Sequence, residues 1–527
     1  MANKALFSSS LVPPVADTTN KAGGAAYKFS PEHALAQLAV TGTFNNTFYG
    51  SADEQLEKLL GLLPQVSTEF IAKLAVFGRE RGQMKDMPAA LVAYLAAKDI
   101  KLGEKVFPRV IDSGKMLRNF VQFVRSGKFG RKSLGSAPKR WVQHWFSVRD
   151  GETIFRQSLG NSPSMADVIK LARPKPENKE KEALYAYLLQ AKGHEGKFKD
   201  LPVLVRDFEH YKRNAAFGMP NVPFEMLTSL PLTGEEWKRL AQKMSWTQLR
   251  MNLNTLKRHG VFEDPAMIRF VANRLKDERL VRKANPFPYQ LMATALATKS
   301  QNSETSSEIS SAIEAALEIS LESVPEISGK IVVCPDVSGS MSSPITGHRK
   351  GSTTVVRCID VAGLTAAALL RKNPTATILP FDTEIHEGSL NTGSVLATAE
   401  KLASFGGGGT ACQLPLQTMN QKGIKADLVI YVSDNESWSQ FDNRGSGMYG
   451  SWPTEMAAQW AVFKQRNPQA KMVLIDIQPY DTTQVHESSD VLNIGGFSDT
   501  VFGMISLFAK GELSPEHWVG EIEKISL

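Results

Sequence analysis

The sequence predicts a multidomain protein: an all-α body of HEAT-like helical repeats followed by an α/β doubly wound domain. Three observations lead there. Apolar residues recur at helical spacing through most of residues 29–327, strands and helices alternate from 328 onward, and the charge changes sign between the halves. Residues 1–300 hold 46 Lys and Arg against 28 Asp and Glu, a balance of +18, while 301–527 hold 15 against 26, a balance of −11. A chain of 527 residues is too long for one core, so a division into domains is expected: a leader at 1–28, a helical body at 29–327 and an α/β domain at 328–527.

The leader is rich in Ser, Pro, Gly and Thr and is expected to be flexible. Behind it, 52–63 places Leu56, Leu59, Leu60 and Leu63 on one helical face, and 68–81 does the same with Phe70, Leu74 and Phe77. The pattern continues through 87–98, 180–191, 201–213, 235–244, 246–258 and 265–280. Most of these runs end within two residues of Gly, Pro or Asn, as stacked helical hairpins require. Near Asn302 the pattern changes. A polar stretch leads into one more helix that ends before Pro325, and then come apolar strands at 330–334, 376–381, 427–433, 471–477 and 491–494, with a helix over 354–371. Such alternation predicts a parallel sheet with its site at the carboxyl ends of the strands.

Composition excludes several classes. No apolar run approaches a membrane span, the start lacks the pattern of a signal peptide, and Cys334, Cys358 and Cys412 are too few and too scattered for a disulfide framework or a CxxC zinc site. A reducing cytoplasm is the expected location. The basic half, with 12 Lys and Arg against 3 acids in residues 101–150, is the footprint of a polyanion-binding surface.

The most specific motif is IVVCPDVSGSM, where Asp336, Ser338 and Ser340 stand in a D-x-S-x-S arrangement just past the first strand. Alternate residues of a loop can turn one carboxylate and two hydroxyls toward a point, and such hard oxygens suit Mg²⁺ or Ca²⁺ rather than zinc. FGGGGTAC adds Thr410, and LVIYVSDNES adds Asp434 with Ser433 beside it. Gly406–Gly409 lack the Lys of a P-loop and read as slack that lets Thr410 approach. A hydrolase built on Ser338 or Asp336 is disfavoured: the frame is not G-x-S-x-G, and only His386 and His486 offer themselves as bases, by default.

These five residues resemble the metal-ion-dependent adhesion site of von Willebrand factor A domains. LAVFGRERGQMKDMPAALVAYLA, FGRKSLGSAPKRWVQHWF, LRMNLNTLKRHG and RKANPFPYQLMATALAT are similar to the TROVE module of the Ro ribonucleoprotein family. VPEISGKIVVCPDVSGSM, FGGGGTACQLPL and VIYVSDNES resemble the corresponding Ro stretches, except that Ala411 stands where that family commonly has an acid. The resemblance implies a closed ring of helical repeats joined to a von Willebrand factor A-like domain, a monomer that is not an enzyme, and a divalent ion, Mg²⁺, on Asp336, Ser338, Ser340, Thr410 and Asp434. It also implies noncoding Y-like RNA on the outer surface, ends of misfolded or precursor RNA such as rRNA in the central hole, and a 3′–5′ exoribonuclease partner. The competing expectation is a metal-dependent interaction module with no RNA role.

The candidate RNA-binding residues are Arg118, Arg125, Lys128, Arg131, Lys132, Lys139 and Arg140, with a second set of Arg250, Lys257 and Arg258. Arg131, Lys132, Lys139 and Arg140 lead because they fall in the stretch that resembles the Ro family's Y-RNA-binding region. Trp141 and Trp145, spaced with Val142 and Phe146, read as a buried helical face rather than a base-stacking platform.

Overall fold

The computed structural model describes residues 13–41, 52–299, 306–345, 356–388, 390, 393–437, 453–478, 480, 482–496, 499–513 and 517–527. They form two compact units, Met1–Leu62 with Ser245–Glu521, and Leu63–Met244 with Ile522–Leu527. The helices from Trp246 to Ser320 fall in the same compact unit as the α/β part, across the boundary expected at 327/328. Two ion pairs span that position, Lys299 with Glu400 at 2.6 Å and Arg371 with Glu318 at 3.3 Å.

The unit 63–244 is helical throughout its described elements. Ser67, Asp99, Ser113 and Asp150 each accept a first-turn amide, starting the helices Thr68–Glu80, Ile100–Val110, Gly114–Arg125 and Gly151–Arg156. Helix Asp86–Lys98 packs against the helices on both sides of it and is buried at ten consecutive positions, Met87 to Ala96, in keeping with its run of Ala and Leu. An aromatic cluster joins three helices, with Phe107 lying 5.1 Å from Phe120 and 5.7 Å from Trp141. Trp141 and Trp145 are buried, as the helical face predicts.

In the other unit, the stretch expected as one helix over 246–258 is two, Trp246–Met251 and Leu253–Arg258. The break is at Asn252, whose Nδ2 donates to the Gln248 carbonyl at 2.8 Å, a side-chain bond that competes with continued helix. The run 265–280 likewise divides into Pro265–Leu275 and Glu278–Ala284.

Part of the stretch expected as a leader forms strands. Strands β1 (Thr18–Thr19) and β2 (Ala25–Lys28) pair antiparallel, and Ala26 and Tyr27 are buried. The main sheet holds β3 (Ile331–Pro335), β4 (Thr377–Ile378), β5 (Leu428–Ser433), β6 (Lys471–Asp476) and, beyond β7 (Thr482–Thr483), β8 (Val491–Gly495). Its order is β4-β3-β5-β6-β8 with every pairing parallel, and β2 pairs with β7 in the small sheet. Strands β3 and β5 are buried at every position, hence their unbroken apolar runs. Register sets Pro335 beside Val432 and Ser433 beside Asp476, so Asp336 and Asp434 each follow a strand at the same sheet edge. All three cysteines are buried free thiols, and no described helix is long and apolar enough to cross a membrane.

Candidate metal centre and basic face

The five oxygen-bearing residues from three separate loops are all buried: Asp336 0%, Ser338 1%, Ser340 6%, Thr410 1% and Asp434 3% exposed. The Asp336 amide continues the sheet by donating to the Val432 carbonyl at 2.9 Å. Its carboxylate accepts the Ser338 amide at 2.8 Å and the Ser433 hydroxyl at 2.6 Å, so the loop after β3 folds back on its own aspartate. The Ser338 and Ser340 hydroxyls meet at 3.3 Å, and Ser340 bonds the Asp434 carboxylate.

Burial, and then the charge of Asp434, push the Asp336 carboxyl up to about 7, against the opposing hydrogen bonds from Ser338 and Ser433. Burial also raises Asp434. Two buried carboxylates facing one another are unfavourable unless protonated or neutralised by a cation. Two carboxylates and three hydroxyls are a donor set that fits Mg²⁺. Among the described residues no group of three or more His, Cys, Asp or Glu is arranged to hold a metal.

The glycine loop works by close approach rather than slack. Gly407 donates to the Val337 carbonyl and Gly339 to the Gly408 carbonyl, both at 2.9 Å, zipping this loop to the Asp336 loop. A Cβ on Gly406, at φ +73°, would lie 2.3 Å from the Val337 carbonyl oxygen, so only glycine fits there.

Asp382, missed by the sequence reading, organises the same edge. It is 3% exposed, and its carboxylate accepts the Gly408 and Glu384 amides at 3.0 Å each and pairs with His386 at 3.0 Å. Burial raises this carboxyl, yet the bonds from Glu384, Gly408 and His386 outweigh it and leave the group below the usual range. An aspartate directly after the apolar run 376–381 was the available signal. His386 is engaged there and stacks on Phe405 at 5.7 Å, and the Ser338 hydroxyl meets Ser340. Asp476, buried at the end of β6 with Oδ1 unsatisfied, adds a further carboxyl pushed up by burial and by Asp434.

The basic candidates separate into different fates. Arg125, Lys132 and Lys139 line one cavity of about 400 Å³ on the unit 63–244, at the start of helix Ser136–Ser147. Lys128 and Arg140 are exposed in the turn and helix that flank it. Arg118 is half-buried, donates to the Gln157 carbonyl at 3.2 Å and is lowered by desolvation. Arg131 turns back to the Leu134 carbonyl at 3.2 Å.

Arg250 lies inside the fold. It is 9% exposed, and its guanidinium donates to the Gln290 carbonyl and the Thr294 hydroxyl, each at 2.7 Å, tying two helices together. Lys257 is half-buried and Arg258 exposed, both on the unit that holds the sheet. Lys170 and Arg173, not singled out from sequence, line a second cavity of about 480 Å³ on the same unit as Arg125.

Residues 330–509 match the family model of the Ro60 vWA domain. The fold as a whole is similar to the crystal structure of the Deinococcus radiodurans Ro (RSR) protein, with a TM-score of 0.62 over 92% of this chain and 100% of that one, at 20% sequence identity.

Proposed function

We propose that this chain, whose residues 330–509 match the Ro60 vWA domain model and whose fold is similar to that of a Ro protein, is a non-enzymatic RNA-binding protein. The observation that carries this reading is the convergence of Arg125, Lys132 and Lys139 around one cavity, with Lys128 and Arg140 exposed beside it. Cations grouped on a rigid helical surface neutralise successive phosphates without reading bases, which suits a structured RNA held by its backbone. The RNA is a small noncoding Y-like species. Ends of misfolded or immature RNA are a second class of ligand, and a 3′–5′ exoribonuclease acts on what the protein presents. The von Willebrand factor A domain holds Mg²⁺ on Asp336, Ser338, Ser340, Thr410 and Asp434. A metal-dependent interaction module without an RNA role leaves the cation cluster unexplained.

The test is binding of a small structured RNA to the full chain across a salt series from about 50 to about 200 mM, where each phosphate contact contributes about 0.9 to the log–log slope. Changing Arg125, Lys132 and Lys139 together to Gln is expected to lower that slope by two to three. An affinity indifferent to salt, or a triple variant with wild-type slope and affinity, overturns the proposal.

A further inference from the structure

The turn between β1 and β2 lies far in sequence from the sheet edge, yet it is fastened to the loop that carries Asp434. Within the turn, Asn20 donates its amide to the Gly24 carbonyl at 2.8 Å and accepts the Gly24 amide on Oδ1 at 2.7 Å. Asn20 is 6% exposed, and its Nδ2 donates to the Ser437 carbonyl at 2.7 Å. The Ala22 amide donates to Glu436 Oε2 at 3.0 Å. A Cβ on Gly24 would fall 2.0 Å from the Ser437 carbonyl oxygen, so the approach is closed to any side chain.

On its other side the same loop grips the donor set. The Glu436 amide donates to Asp434 Oδ1 at 3.3 Å. The Ser437 hydroxyl donates to the Thr410 carbonyl at 3.3 Å and accepts the Cys412 amide at 3.2 Å. Between them Asn435 sits buried at φ +57°, a left-handed conformation that a non-glycine residue keeps only when its surroundings enforce it. Residues 435–437 are thus held between the leader on one side and Asp434, Thr410 and Cys412 on the other.

We propose that the Asn20–Gly24 turn is a positioning element of the metal centre: it contributes no ligand, but sets the loop that aims Asp434 and Thr410. The proposal rests on the metal reading above. Losing the Asn20 donor leaves the Ser437 carbonyl buried and unpaired and frees the loop to relax away from the ligand geometry. The test measures Mg²⁺ and Mn²⁺ affinity of the full chain by titration calorimetry, with the paramagnetic resonance line shape of bound Mn²⁺ as a spectroscopic readout. The proteins compared are wild type, Asn20→Ala, Gly24→Ala, Asp336→Ala and the exposed control Thr19→Ala.

Asn20→Ala and Gly24→Ala are expected to weaken the ion about fivefold to tenfold, the scale of one buried hydrogen bond, and to broaden the Mn²⁺ signal. Thr19→Ala should bind as wild type, and Asp336→Ala should not bind. Wild-type affinity and line shape in both turn variants, with binding lost in Asp336→Ala, overturn the positioning role and leave the metal reading intact. Equal weakening in Thr19→Ala also overturns it, since general loosening of the hairpin then accounts for the effect. A wild-type chain that binds neither ion, or an Asp336→Ala chain that binds both as wild type does, removes the metal reading and the proposal with it.

Discussion

At the carboxyl edge of the sheet every candidate side chain is buried, whereas on the helical unit Arg125, Lys128, Lys132 and Arg140 stand in solvent. Burial makes each oxygen of the first group answerable to its neighbours: Asp336 is held by Ser338 and Ser433, and Ser340 by Asp434. The exposed cations act as a population, in which a phosphate feels their summed field and each member is replaceable. A buried polar centre is therefore expected to fail at a single substitution, and a basic face by degrees.

The largest expected effect probes the first side of that contrast. Mg²⁺ at about a hundred times its dissociation constant should stabilise the full chain by about 2.7 kcal/mol, and Asp336→Ala should abolish the whole increment in a calorimetric scan. Protons should compete with the ion. Asp336 is raised from 3.8 to about 7 in the fold, so without metal its protonated form is the favoured one, and its contribution declines as pH rises from about 4 to about 7. In chelator, wild type should lose stability relative to Asp336→Asn across that window, and Mg²⁺ affinity should climb through it. Parallel stability curves for the two proteins would remove the buried-carboxylate argument.

Next in size is the triple Arg125, Lys132 and Lys139 change to Gln, for which a loss of about a hundredfold in RNA affinity at low salt is expected, with each single variant falling only a fewfold. A single substitution as damaging as the triple would show that the basic face behaves like the buried centre. Arg250→Ala follows. Removing the guanidinium leaves the Gln290 carbonyl and the Thr294 hydroxyl without their donor, for about 2 kcal/mol of destabilisation seen in a denaturant midpoint, while the salt slope of RNA binding stays at wild type. Smallest is Arg258→Ala, expected to move stability by less than about 0.5 kcal/mol, since this exposed side chain bonds the nearby Thr255 hydroxyl at 3.2 Å.

How much of this was legible in the sequence follows the same contrast. The carboxyl edge of the sheet reads from letters because a parallel strand buried on both faces must be apolar, so the first acid after it, Asp336 or Asp434, marks the edge by itself. Asp382 obeys that rule too and was passed over because its role, ordering the glycine loop, has no motif. The fates of Arg118, Arg131 and Arg250 were not legible. An arginine in a helical pattern looks the same whether its guanidinium meets solvent or a distant carbonyl, and for Arg250 that is settled by Gln290, forty residues away. The leader misled for a related reason: polar, glycine-bearing residues read as unstructured when the strand that orders them, Thr482–Thr483, lies more than four hundred residues on.

That separation has a consequence in time. During synthesis Tyr27 and Lys28 leave the ribosome long before Thr483 and Thr482, their partners in β7, exist. At about 5–20 residues per second the wait is roughly 20 to 90 s, far longer than a hairpin takes to form. The leader must pass that interval without its final partner. Residues near 482 thus complete a strand pair begun by residues near 28, and a nascent chain stalled before residue 482 would carry a β2 strand without its β7 partner.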